Sequence, residues 1–224
     1  MPIMSHKATR ITRSGRKLND AFFKQAKSEG YVARSAYKLL EIQQKHKIIP
    51  NGGYVLDLGC HPGAWLQVAC QSLGPEKKGG LVLGVDIQET KAPGKFCDER
   101  VKILQCDARE IQEEVWQSYA PKGFNVVLSD MCHFTHGNAL TDAYKSLELA
   151  RTAFEISSLP ISDYEHGVLK PGGHLVMKLL QGQGTQEFAQ ELKEYFTSVK
   201  HHRPKATRSE SKEIFLIGMN KKVR

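Results

Sequence analysis

Lys178 stands in the run Leu175-Val176-Met177-Lys178-Leu179-Leu180, where every neighbour is apolar. A charged amine in such a run is costly unless it is paired or lies near solvent at a strand end. Asp130, just past the apolar run Phe124 to Ser129, is the natural partner. With Lys38 on an N-terminal helix and Glu213 near the end of the chain, it completes a Lys-Asp-Lys-Glu set. Such a set is either a structural ion-pair cluster or a base held by orienting charges. A second group is more regular: Asp57, Asp86 and Asp107 each close a hydrophobic run. The first run leads into Gly59-Cys60-His61-Pro62-Gly63, whose small residues let backbone amides approach a ligand. Asp86 is then placed for ribose hydroxyls and Asp107 for an adenine amino group, the marks of a nucleoside cofactor. The loop has neither the GxGxxG nor the GxxxxGK[ST] spacing, which argues against NAD and ATP. S-adenosylmethionine fits better, with Asp57 balancing its positive methionine end.

These residues need elements that bring them to one edge. Asn19 or Asp20 caps a helix through about Ala26, Gly30 breaks it, and a second runs from about Ser35 to Gln44. Strands follow at Tyr54–Leu58, Leu81–Asp86, Val101–Asp107, Phe124–Ser129 and His174–Leu179. Helices are expected over Ala64–Leu73, Thr141–Ser157 and Thr185–Phe196. Strands separated by helices predict an α/β fold, a mostly parallel sheet covered on both faces. Two last strands, near Thr197–His202 and Glu213–Ile217, predict a C-terminal antiparallel hairpin joined by the polar, basic loop Pro204–Lys212. Trp65, Trp116, Phe22, Phe23 and Tyr37 read as packing residues, with base stacking the alternative for Tyr31 and Tyr37 beside Lys38.

The chain of 224 residues carries 32 basic and 24 acidic groups, distributed unevenly. Residues 1–49 are net +8, residues 50–199 net -6 and residues 200–224 net +6. If both ends meet on one side, they form a patch for a polyanion, nucleic acid first. Phosphate contacts are expected from Arg10, Arg13, Lys17, Arg34, Lys38, Arg203, Lys205 and Arg208. No apolar run is long enough for a membrane span and no secretion signal appears, so no membrane partner is expected. The acid-free start reads either as a basic arm, residues 1–18, or as a targeting segment, ahead of a single domain over 19–224. Cytoplasm, nucleus and an organelle all suit it. The five cysteines form no CxxC pair and read as free thiols, and Cys132, His133 and His136 lack a fourth ligand, so no metal is expected.

The stretches Gly30-Tyr31-Val32-Ala33-Arg34-Ser35-Ala36-Tyr37-Lys38, Leu56 through Trp65, Leu128-Ser129-Asp130-Met131, Lys170-Pro171-Gly172-Gly173 and Lys205 through Glu213 together resemble the FtsJ/RrmJ-type ribose 2'-O-methyltransferases. The resemblance covers about residues 19 to 219 and implies a Rossmann-like class I methyltransferase fold with seven strands. It implies transfer of a methyl group from S-adenosylmethionine to a ribose 2'-hydroxyl of RNA, with the large ribosomal subunit or a pre-ribosomal particle as the expected substrate, by a monomer. It places that family's tetrad on Lys38, Asp130, Lys178 and Glu213, with Lys178 as general base. The donor would lie against Asp57, Gly59, Cys60, Pro62, Gly63, Trp65, Asp86, Ile87, Asp107, Ala108 and Asp130. Transfer RNA or an mRNA cap is the same chemistry on another address, and a silent RNA-binding module is the non-enzymatic alternative. Where the family usually reads Ala-Pro-Asn, this chain has Cys132-His133-Phe134, and about ten residues from Ser157 to His166 look inserted.

Overall fold

The structure is a computed structural model and describes residues 21–134, 137–158 and 167–223. Two helices, α1 (Ala21–Glu29) and α2 (Ala36–His46), precede β1 (Tyr54–Leu58) and α3 (Ala64–Ser72). Next come β2 (Leu81–Asp86), β3 (Val101–Gln105), α4 (Glu113–Tyr119), β4 (Phe124–Ser129) and α5 (Ala139–Ser158). The chain closes with β5 (Leu169–Leu180), α6 (Thr185–Tyr195), β6 (Phe196–His202) and β7 (Glu213–Lys221). One seven-stranded sheet has the order β3-β2-β1-β4-β5-β7-β6, with β7 antiparallel to both neighbours. This is the Rossmann-like class I methyltransferase architecture, with the hairpin expected from the sequence.

Alternation along each strand divides the core into two layers. Leu56, Leu58, Val127, Leu175, Met177 and Leu216 pack with Trp116, Phe154 and Phe188 from α4, α5 and α6. Val55, Val82, Val126, Leu128, Val176, Phe215 and Ile217 face the other way, against Leu39 and Ile42 of α2 and Leu66 and Val68 of α3. Strand order reverses between β1 and β4, since the chain builds β2 and β3 on one side of β1 and the later strands on the other. A crevice opens at the carboxyl ends of the strands beside such a reversal.

Several elements differ from the sequence reading. No helix joins β2 to β3. Residues 87–100 run as an irregular segment, because Pro93 and Gly94 interrupt it and it carries no helical apolar stripe. The short α4 was not anticipated, since its one fully buried side chain, Trp116, gives no periodicity to detect. Helix α1 runs to Glu29, beyond the expected Ala26. Ser157 and Ser158 belong to α5 and are buried, while residues 159–166 of the expected insertion lie outside the described residues. Its flanks sit at the amino ends of the strands, where Phe124 donates to the Val168 carbonyl (2.8 Å). Among the described residues no helix is long and apolar enough to cross a membrane.

Candidate active site

The residues on the α2/α3 face of the sheet are apolar until they reach the strand tips. Val55 is followed on that face by Asp57, Val82 and Gly84 by Asp86, Val176 by Lys178, and Ile217 and Phe215 by Glu213, counting β7 backwards. Asp130 directly follows β4 and its row Val126, Leu128. One period-2 rule therefore delivers five ionisable side chains to one edge of one face. Lys38 reaches them from α2, which packs on α3 over that face.

Lys178 is 7% exposed, and its Nζ lies 2.8 Å from Asp130 Oδ1 and 2.6 Å from the Asp130 carbonyl oxygen. Lys38 Nζ lies 2.5 Å from Glu213 Oε1 and sits 5.9 Å from the centre of the Phe215 ring. The two pairs face one another. Burial is the largest single influence and works against the Lys178 ammonium, but Asp130, Cys132 and Glu213 together outweigh it, and the pKa lies above its ordinary value. The structure thus brings Lys38, Asp130, Lys178 and Glu213 into one charged cluster.

A cavity of about 280 Å³ opens beside Asp130 and is lined by Gly59, His61, Asp86, Ile87, Asp107 and Ala108, with Met131, Cys132 and Leu149 among its other walls. Gly59 has a φ of 77°, and a Cβ there would stand 2.8 Å from the Met131 backbone, so the turn requires glycine. Asp86 accepts from the backbone N–H groups of His61 (2.8 Å, Oδ2) and Gln88 (2.8 Å, Oδ1), which fixes both oxygens at the cavity wall. Asp107 accepts from Arg109 Nη2 (2.5 Å) and from the Arg109 backbone N–H (3.0 Å), and this grip holds its pKa at about 2. Asp57 is wholly buried, and neither of its oxygens has a hydrogen-bond partner in the structure. Burial first, then Asp130 and Asp86, push its pKa well above the usual carboxylate range. An orphaned buried acid of this kind fits a cationic ligand group nearby.

Asp57, Cys60, Pro62, Gly63 and Trp65 do not line this cavity. Trp65 is 2% exposed, stacks near Phe215 (5.6 Å between rings) and donates from Nε1 to the Ser35 carbonyl (2.9 Å). It ties α3 to the start of α2 and thereby sets the position of Lys38. His61, Gln88, Arg109, Met131, Leu149 and Thr152 are wall residues the sequence reading passed over. Gln88 and Arg109 were legible, because each lies two residues after an acid whose side chain its N–H can reach.

A second cavity, of about 240 Å³, lies on the other side of the tetrad, lined by Arg34, Ser35, Lys38, Thr207, Arg208, Ser211 and Glu213 along with Ala206. Arg34 donates to the Ala206 carbonyl and so binds the loop between β6 and β7 to the base of α2. Glu41 of α2 holds the same loop through the Lys205 N–H (2.8 Å). Arg203 donates to the carbonyls of Arg208 (3.1 Å) and Ser209 (3.3 Å), which shapes the loop from within. Arg10, Arg13 and Lys17 lie outside the described residues. In the loop after Asp130, His133 Nε2 meets Asp142 (3.2 Å), whose other oxygen accepts from the Gly137 N–H (3.1 Å).

The comparisons agree with this geometry. A family model described as FtsJ-like methyltransferase matches residues 31–221. The chain is 40% identical over 208 residues to the ribosomal RNA large subunit methyltransferase E of Desulfosudis oleivorans, covering 93% of each. It is 38% identical over 207 residues to the protein of the same name from Acinetobacter baumannii, covering 92% of this chain and 88% of that one. A solved ribosomal RNA methyltransferase of Plasmodium falciparum shares the fold, with a TM-score of 0.69 at 24% identity over 87% of this chain and 100% of that one. With its sheet, its strand-tip acids and the match along nearly its whole length, the chain belongs to the FtsJ-like methyltransferase family.

Proposed function

We propose that this enzyme methylates a ribose 2'-hydroxyl of large-subunit ribosomal RNA, with Lys178 as the base. The observation that carries the reading is the buried Lys178–Asp130 pair lying between two cavities, one walled by nucleoside-type acids and the other by arginines and hydroxyls. S-adenosylmethionine is the methyl donor, and bound in the first cavity it supplies an electrophilic methyl group on a sulfonium. Asp86 is set to accept from its ribose, the Asp107 edge and Ala108 to meet its adenine, and Asp57 to answer its positive methionine end.

Lys178 must be neutral to take the 2'-hydroxyl proton as the oxygen attacks. In the structure Asp130 and Glu213 favour its charged form. A cationic donor beside it, together with Lys38, works in the opposite direction. Asp130 holds the amine by side chain and backbone carbonyl alike, so its direction is fixed before substrate arrives. Lys38 and Glu213 grip the ribose from the acceptor side. Positioning of this kind contributes up to roughly 7–11 kcal/mol to a bimolecular step.

Residues 19–224 act as a single domain and residues 1–18 as a basic arm that adds phosphate contacts. All four tetrad residues come from one chain, so a monomer suffices. The relatives named for large-subunit ribosomal RNA support that substrate, and the basic residues around the second cavity suit it. The test is Lys178→Ala assayed on large ribosomal subunits from cells lacking the enzyme. Methylation should fall by at least about 10²-fold, the low end of what a general base contributes, while calorimetric binding of S-adenosylhomocysteine stays within twofold. Retained methylation would remove Lys178 from the chemistry.

A further inference from the structure

The acceptor-side cavity has a composition that selects among the parts of a nucleotide. Among the described residues its charged side chains are Arg34, Lys38, Arg208 and Glu213, its hydroxyls Ser35, Thr207 and Ser211, and its one apolar side chain Ala206. An unstacked base is held by aromatic or guanidinium faces together with apolar walls, and here there is no aromatic wall. Forked guanidiniums beside hydroxyls match the oxygens of a phosphate. Lys38 is turned to Glu213, and the guanidiniums of Arg34 and Arg208 stand in the same wall as the three hydroxyls. The cavity also opens at the first turn of the eleven-residue α2, whose dipole adds positive potential. Glu210 stands at the loop close by, and its carboxyl is held below its usual range by its own backbone N–H and the Ser209 hydroxyl, with weaker pulls from Arg208 and Arg34.

Which phosphate it takes follows from adjacency. Lys38 and Glu213 belong both to the tetrad and to the cavity wall, so a phosphate there lies immediately beside the reacting hydroxyl. In RNA the 2'-oxygen and the 3'-phosphodiester are carried on neighbouring ring carbons, whereas the 5'-phosphate is reached only across the ring and through C5'. Resting on the reading of this site as a ribose 2'-O-methyltransferase, we propose that Arg34 and Arg208, with Ser35, Thr207 and Ser211, form a subsite for the 3'-phosphodiester of the methylated nucleotide. The enzyme then measures the target from its 3' side and acts on internal nucleotides. A ribose that ends a strand with a free 3'-hydroxyl lacks the anchoring group.

The test pairs a chemical change in RNA with changes in the protein. An RNA fragment spanning the mapped target is made with one neutral methylphosphonate either 3' or 5' to that nucleotide. Binding is followed by fluorescence anisotropy with S-adenosylhomocysteine present, and methyl transfer by mass spectrometry. For the wild type, the 3' substitution should weaken binding at least tenfold and the 5' substitution less than threefold. Arg208→Gln and Arg34→Gln should bind the native fragment about tenfold more weakly and lose little more with the 3' methylphosphonate, since each change removes the same interaction. Arg208→Lys should recover only part, because it restores charge without the fork. Arg208→Gln guards against a folding defect from Arg34→Gln, which also frees the Ala206 carbonyl, and unchanged S-adenosylhomocysteine affinity checks both. Equal penalties at the two phosphates, or full additivity between the 3' substitution and Arg208→Gln, would overturn the subsite while leaving the methyltransferase reading intact. No methyl transfer by wild type to ribosomal subunits would instead remove the reading on which the subsite rests.

Discussion

At the scale of the residue, two buried ionisable groups behave in opposite ways. Lys178 has its partner in place and keeps its charge, so its neutral form is scarce near neutral pH. The expected kcat/KM therefore rises with pH toward the alkaline side, and Asp130→Asn should move that limb to lower pH while lowering the maximal rate. A pH–rate profile of both proteins measures this, and an unmoved limb would count against the coupling. Asp57 has no partner and is pushed toward its neutral form. An acid whose folded pKa is raised costs stability as pH climbs from its unfolded value through its folded one. Asp57→Asn should accordingly leave the melting temperature nearly unchanged at pH 4 and raise it at pH 8. A gain of about 1–3 kcal/mol for an unsatisfied buried group corresponds to about 2–4 °C per kcal/mol. The same variant should bind S-adenosylhomocysteine at least tenfold more weakly, which separates a ligand role from a packing one.

At the scale of the element, the site depends on how α1, α2 and the irregular 87–100 segment are fastened to α3. Gln67, fully buried in α3, accepts from the Val32 N–H (2.9 Å) and donates to the carbonyls of Gly30 (3.0 Å) and Lys95 (2.9 Å). Gln67→Ala would strand three backbone groups, a cost of about 3 kcal/mol or more, and the melting temperature should fall by about 6–12 °C. A thermal melt decides it, and a loss under 2 °C would mean that water replaces the side chain. Gln67 shows where sequence reading stops, because its partners come from two segments that no local pattern connects. The strand-tip charges were legible for the converse reason. A lysine or acid that breaks an apolar alternation carries its face with it, so Lys178, Asp57 and Glu213 could be assigned before any fold was known. Residues 87–100 carry no periodicity from which their path could be read, while Trp65, read both as a packing residue and as a cofactor contact, is a packing brace between α3 and α2.

At the scale of the whole molecule, charge is divided between ends and middle. Residues 1–49 and 200–224 are net +8 and +6, against -6 for residues 50–199. Arg34 and Glu41, both within the first of these segments, hold the second at Ala206 and Lys205. Among the described residues, the 200–224 segment therefore meets the start of α2 beside the second cavity. Removing residues 1–18 should weaken binding to ribosomal subunits and flatten its dependence on salt, by about 0.7 in the log–log slope for each phosphate that the arm neutralises. Cofactor affinity should not change, and an identical salt slope would take the arm out of RNA recognition. The place of β7, inserted between β5 and β6, has one more result. This strand is made after every other, yet it supplies both the hydrogen-bonded neighbour of Lys178 and the carboxylate that Lys38 meets. A nascent chain still short of it has an open β5 border and lacks Glu213, so the proposed catalytic cluster stays incomplete until this strand is made.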